Sequence, residues 1–176
     1  LNSETNLPTS PKAIVVGGGL LGLEAAWELK SNGLDVTVIE LASRILPIQV
    51  DEEASIFLTK IIHSKGIHLV LEKSVQNVLG KEKVTSVSLN DGTTLECDLL
   101  LFSAGARPNI DLIKGSGMEI NHGILVNNKM ETSIKGIYAA GDVAETGDHT
   151  AGTWLPALEQ GRIAGANMAG DEVFYT

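Results

Sequence analysis

Cysteine occurs once, as Cys97, so no disulfide can form within the chain. Aromatic residues make up only 4%, and any core must therefore be aliphatic. Basic residues are few, 13 against 22 acidic ones, for a net charge of -9. A nucleic-acid interface needs a basic footprint, and an anionic membrane surface attracts the same charge. Neither is expected as a partner. No apolar run approaches the ~20 residues of a membrane helix. The polar opening lacks the charged-then-apolar order of a signal peptide. With the lone thiol, this predicts a soluble, cytoplasmic protein. His63, His68, His122 and His149 show no metal-ligand spacing such as H-x-x-x-H, so no metal site is expected. Asp148-His149 suggests a hydrolase only if a nucleophile elbow G-x-S-x-G exists, and none occurs.

What the chain has is apolar residues, at 43%, and 19 glycines. A polar, proline-bearing connector is expected over residues 1–11. Residues 12–16 form a short β-branched run that ends in Gly17-Gly18-Gly19 and reads as a buried strand and a turn. Residues 20–31 carry helical spacing and stop at Asn32-Gly33. Residues 35–40 read as a second strand, 51–64 as a second helix closed by Lys65-Gly66, and 67–71 as a third strand. Asp51, Glu52 and Glu53 could pass for a paired-carboxylate site, but acids at a helix start favour the dipole and give the plainer account. This β-α-β-α-β order is half of a doubly wound sheet. Short strands follow at 74–79, 84–89 and 93–96, the last two joined by the hairpin signal Asn90-Asp91-Gly92. Residues 98–103 read as a central parallel strand. Beyond the boundary near residues 105–107, weak strands are expected at 118–120, 124–126 and 137–140, then a helix over 154–169. The fold expected is α/β: a Rossmann-like doubly wound parallel sheet with an inserted antiparallel β element, in three ββα layers.

Residues 17–22 fit G-x-G-x-x-G, between a strand and a helix, with Glu40 ending the next strand 18 residues after Gly22. Each glycine has a task. Gly17 permits the tight turn, Gly19 lets a pyrophosphate approach the backbone, and Gly22 lets the helix pack on the strand. N–H groups of the first helical turn, from Leu20 and Leu21 onward, then face the phosphates without any Lys or Arg. Glu40 is placed to accept a ribose diol and to repel a 2′-phosphate, so NADH is expected over NADPH. Arg44 leaves the NADPH alternative open, being near enough to serve a 2′-phosphate if it is not simply a surface residue. Cys97 opens a buried strand without a basic neighbour and reads as a packed structural thiol.

Residues 12–40 (KAIVVGGGLLGLEAAWELKSNGLDVTVIE) resemble the NADH-binding domain of the flavin-dependent pyridine nucleotide-disulfide oxidoreductases. The resemblance continues through 99–109 (LLLFSAGARPN), 132–142 (TSIKGIYAAGD) and 154–170 (WLPALEQGRIAGANMAG). It is nearest the branch of NADH oxidases, coenzyme A disulfide reductases, rubredoxin reductases and the reductase portion of nitrite reductases. It implies an NAD(H)-binding domain over 12–106 and the returning segment of an FAD-binding domain over 107–176. NAD would be held by Gly17, Gly18, Gly19, Leu20, Leu21, Gly22, Glu24, Glu40, Leu41 and Gly105. FAD would be held by Gly141 and Asp142, the latter on the ribityl chain, and by the helix start at Trp154 and Leu155, whose dipole would favour reduced flavin. Glu24 matches an acid near the nicotinamide and flavin, or is a solvated helix acid. Leu20 stands where many relatives carry a gating Tyr. The family's first flavin-binding glycine unit, its redox cysteine and its dimerisation domain have no counterpart, so a longer, homodimeric protein is expected.

The function expected is hydride transfer from NADH to N5 of FAD, then to a disulfide, peroxide, dioxygen or protein carrier. The chain alone, without the other flavin half, is expected to be inactive. Two alternatives are a stand-alone NAD-binding module and a complete small dehydrogenase. The latter needs a His or Tyr general acid that the sequence does not supply.

Overall fold

A computed structural model describes residues 10–147, 149–150 and 152–176. Most of the expected connector, and Asp148 of the Asp148-His149 pair, lie outside the described residues. The chain divides into two compact units, Leu1–Gly105 and Ala106–Thr176.

In the first unit, β1 (Lys12–Val16), α1 (Leu20–Ser31), β2 (Asp35–Ile39), α2 (Glu52–Ser64), β3 (Ile67–Val70) and, later, β7 (Leu99–Phe102) build a parallel sheet of order β3-β2-β1-β7. Alternation along the strands sorts its two faces. Ala13, Val15, Val36, Val38 and Ile67 point to one side, where Ala26, Leu23 and Leu29 of α1 and Ile62 of α2 cover them. Ile14 and Ile39 point to the other side, against Val87, Leu89 and Cys97. These come with the antiparallel sheet of β4 (Val75–Leu79), β5 (Ser86–Leu89) and β6 (Thr94–Glu96), order β4-β5-β6. The result is three layers: antiparallel sheet, parallel sheet, helices. Fully buried side chains such as Val15 and Val38 each contribute about 1.5–3 kcal/mol by leaving water. The Cys97 thiol is buried in this core, and desolvation, with Asp98 nearby, pushes its pKa up.

The hairpin turn forms as its sequence suggests. Gly92 N–H donates to Leu89 O at 3.0 Å, and Asp91 accepts from Thr93 N–H at 2.9 Å and pairs with Lys73. One expectation fails in detail. The apolar run 98–103 is not central: β7 is an edge strand of this sheet, and Phe102 is exposed. An apolar strand reports that most of its side chains are shielded on the faces, not that both edges are paired.

The second unit pairs β8 (Ile124–Leu125) in parallel with β9 (Ala144–Thr146), and β9 in antiparallel with β10 (His149–Thr150). Residues 118–120 and 137–140 do not form strands. They make only the single bridges Ile120↔Ile124 and Glu131↔Tyr138. The helix α3 (Trp154–Met168) buries Ile163 and Ala164 against Met130, with Val126, Tyr138, Val173 and Tyr175 around them. Asn167 ties the end of the chain to the turn before Met130, donating to Lys129 O at 3.1 Å and Val173 O at 2.8 Å.

Candidate functional site

The site expected from the glycine motif lies at the carboxyl ends of β1, β2 and β7. Gly17 N–H donates to Ile39 O, and Ser103 N–H to Val16 O, both at 2.8 Å, so the three strand ends are locked in register. The chain leaves β1 toward β2 on one side, while β7 flanks β1 on the other. A crevice opens at such a reversal of strand order.

The three glycines of the motif differ in what a side chain would meet. At Gly17 the backbone has φ of +116°, and a Cβ would lie 2.3 Å from Ser103 O. At Gly22 a Cβ would lie 2.0 Å from Gly17 O. Both positions are closed by the chain's own backbone. At Gly19 a Cβ would meet nothing of the chain within 4 Å. Its openness therefore has no packing explanation, and it faces the space before the helix.

Helix α1 starts there without a side-chain cap among the described residues and without an acid in its first turn. Its first ladder bond runs from Leu23 N–H to Gly19 O at 3.0 Å, so the N–H groups of Leu20, Leu21 and Gly22 precede the ladder. Leu20, Leu21, Leu41 and Phe102 are exposed apolar side chains of the same strand ends and turn.

Glu40 is half-buried, and its carboxylate is already oriented. It accepts from Gly18 N–H at 2.5 Å and from Ala42 N–H at 2.7 Å. A carboxylate has about four acceptor positions, so capacity is left for a diol. Arg44 is half-buried, and its guanidinium is engaged by the chain's own carbonyls. Its two terminal nitrogens donate to Val50 O at 2.7 Å, Pro47 O at 2.8 Å and Asp51 O at 3.3 Å. Glu24 is exposed on α1, and Gly105 follows β7 at φ of +78°. Among the described residues no cluster of His, Cys, Asp and Glu could hold a metal, and no helix is long and apolar enough to cross a membrane.

In the second unit, Gly141 and Asp142 sit in a single 3-10 turn, Gly141–Val143. Gln160 of α3, almost fully buried, accepts from Gly141 N–H at 2.8 Å and so fixes this turn to the helix. The start of α3 has no side-chain cap, and Trp154 and Leu155 there are exposed. Sequence reasoning missed Ser103 and Gln160. Gln160 was findable: it shares the spacing 160, 163, 164, 167 with the buried face of α3, where a polar residue needs a partner.

Comparison with known proteins places the chain among relatives. The chain is 42% identical over 172 residues to an NADH oxidase of Methanocaldococcus jannaschii, covering 93% of this chain and 38% of that protein. It is 40% identical over 161 residues to nitrite reductase [NAD(P)H] of Bacillus subtilis, covering 92% of this chain and 20% of the relative. The chain thus spans well under half the length of these relatives. Among solved structures, an FAD-dependent pyridine nucleotide-disulphide oxidoreductase from Desulfovibrio vulgaris matches with TM-score 0.77 and 32% identity, over 94% of this chain and 44% of that one. The water-forming NADH oxidase from Lactobacillus brevis, bound to NADH, matches with TM-score 0.81 and 25% identity, over 94% and 38%. An engineered variant of it with five substitutions, bound to NADPH, matches with TM-score 0.80 and 26% identity, over 94% and 38%. The family profile for pyridine nucleotide-disulphide oxidoreductases, whose members use FAD and NAD(P)H, matches residues 2–170, and with the parallel sheet and its glycine turn on the page, this chain belongs to that family.

Proposed function

We propose that this chain is the NADH-binding part, with a flavin-domain segment, of an FAD-dependent reductase. Residues 12–106 would bind NADH and residues 107–176 would contribute to the FAD site. In the whole protein, FAD held in part by residues 107–176 would supply a hydride acceptor at N5, with a disulfide, peroxide, dioxygen or protein carrier as the final electron acceptor.

The observation that carries this reading is the juxtaposition at the end of β1. An uncapped helix start opens onto the unfilled side of Gly19, with the Glu40 carboxylate anchored to Gly18 N–H at 2.5 Å. The N–H groups of Leu20, Leu21 and Gly22 neutralise a diphosphate, with Gly105 beside the turn. Glu40 takes the adenosine ribose, and Leu41 covers the sugar. Glu24, further along α1, faces the nicotinamide end. For FAD, Asp142 holds the ribityl chain, and the start of α3 at Trp154 and Leu155 turns its positive end to the flavin ring. The fit is local: Asp142 is exposed, and Gly141 is held by Gln160.

The engineered NADPH-bound oxidase supports the choice of coenzyme. Its substituted positions are a glycine, an acid 18 residues later, the two residues after the acid, and a proline seven residues after it. The same spacing here picks out Gly22, Glu40, Leu41, Ala42 and Pro47. At these positions the present chain keeps the glycine, an acid and the proline of the parent NADH oxidase.

Calorimetric titration of the chain with each coenzyme tests the reading. NADH is expected to bind at least about tenfold more tightly than NADPH, the cost of meeting one misplaced charge. Equal affinity removes Glu40 from its role. No NADH-dependent dye reduction is expected from the chain without added FAD. Reduction under those conditions would instead support a complete dehydrogenase.

A further inference from the structure

The segment between β2 and α2 is held from several sides, beginning with Glu72 N–H, which donates to Ala42 O at 3.1 Å. Gly18 is tied to this segment by both of its backbone groups: its N–H donates to Glu40, and its carbonyl accepts from Leu46 N–H at 3.0 Å. Leu46 reverses the chain in the left-handed region, φ +49°, and is buried along with Ile45. Ser55 Oγ, also buried, donates to Ile45 O at 2.9 Å and fastens α2 to the segment. What closes the remainder is Arg44, whose terminal nitrogens gather the carbonyls of Pro47, Val50 and Asp51. The planar guanidinium suits this convergence, and a lysine ammonium would not span it.

We propose that Arg44 is a positioning residue for coenzyme choice: by clamping the carbonyls at 47, 50 and 51 it holds the segment that aims Glu40, and it does not itself receive a 2′-phosphate. A basic side chain four residues after the acid looks like a phosphate ligand in the sequence. In the structure its two terminal nitrogens are engaged by the chain's own carbonyls, so NADPH would have to compete with the clamp to use it. With the clamp intact, Glu40 stays fixed by the N–H groups of Gly18 and Ala42 and presents its remaining lone pairs in one direction. This preorganisation favours a diol and disfavours a dianionic phosphate. With the clamp gone, the segment loosens and the carboxylate swings aside. NADH is then bound less well and NADPH is repelled less.

This inference rests on NADH occupying the glycine turn, and one set of titrations keeps the two apart. Wild-type chain that gives no heat with NADH ends the coenzyme reading itself. Given wild-type binding, Arg44→Met is expected to lower the NADH:NADPH affinity ratio about tenfold, the equivalent of one charge-assisted hydrogen bond. An unchanged ratio with both affinities reduced assigns Arg44 a purely structural part and overturns the proposal. A raised ratio, through selective loss of NADPH, makes Arg44 a phosphate ligand and overturns it too. Arg44→Lys keeps the charge but not the fork, and its ratio is expected between wild type and Arg44→Met. If Arg44→Met fails to fold by circular dichroism, Arg44→Lys decides: a wild-type ratio there contradicts the proposal.

Discussion

Helices α1 and α2 of the first unit both follow strands of the parallel sheet, yet they begin in opposite ways. At α2, Asp51 accepts from Ala54 N–H at 2.8 Å, and Glu52 and Glu53 fill the first turn. The positive end of that helix is neutralised by its own sequence. At α1 the capping position is Gly19, no side chain caps, and the first turn is Leu20-Leu21-Gly22-Leu23. A cap is worth about 1 kcal/mol, and a first-turn acid about 0.3–1 kcal/mol more. Helix α1 has no first-turn acid, and its glycine cap gives up a few tenths of a kcal/mol against a side-chain cap, beside two glycines whose own Cβ positions are blocked. On the proposed function, the contrast separates a helix end built for stability from one left for an anion.

The largest effect should come from filling the blocked side of the α1 turn. Gly22→Ala would drive a Cβ onto Gly17 O, and overpacking of that kind costs about 3 kcal/mol. Urea denaturation should show the loss, with NADH binding lost alongside it. A stability within about 0.5 kcal/mol of wild type would mean that the turn is not as tight as described.

A smaller effect is expected at the capped helix. Asp51→Ala should cost about 1 kcal/mol and leave NADH affinity within about twofold, because that helix end serves no ligand. A large loss of NADH binding would erase the distinction between the two helix starts.

The smallest effect compares Glu40 with the other anchored carboxylate, Glu145. Glu145 is buried and accepts from Gly123 N–H at 2.7 Å and Asn121 Nδ2 at 2.9 Å. The Gly123 N–H in particular, then Asn121, hold its pKa below the ordinary 4.5. A depressed pKa stabilises the fold above the unfolded value, and that stabilisation is lost as pH falls through the folded value. Thermal melts of wild type should therefore lose stability as pH drops below about 4.5, the ordinary carboxylate value, and Glu145→Gln should flatten that slope. An identical slope in both would show that Glu145 does not set it.

Much of this architecture was legible in the chain itself. The apolar runs 12–16, 35–40 and 67–71, with stop signals at Asn32-Gly33 and Lys65-Gly66, define β1, α1, β2, α2 and β3 almost to the residue. They succeed because local periodicity and sheet burial agree there. The second unit was harder. Strands β8 and β10 are two residues each, too short to carry a period, and β8 pairs with β9 some twenty residues away, Ile124 with Ala144. At the candidate site the glycines and Glu40 were readable from spacing. The engagement of Arg44 by backbone carbonyls was not. It depends on carbonyls that converge only because Leu46 adopts a left-handed backbone, which its side chain gives no hint of. Nor does spacing reveal that Ser103 O is what forbids a side chain at Gly17.

The most direct test transfers the start of α2 onto α1. Gly19→Asp has open space for its side chain and an allowed backbone, so the fold should melt within a few degrees of wild type. Its carboxylate would take the N–H groups that a diphosphate needs. Calorimetry should show saturable NADH binding for wild type and at least a hundredfold weaker binding, about 2.7 kcal/mol, for the variant. NADH binding of equal strength in both would contradict the claim that the bare start of α1 is a coenzyme site.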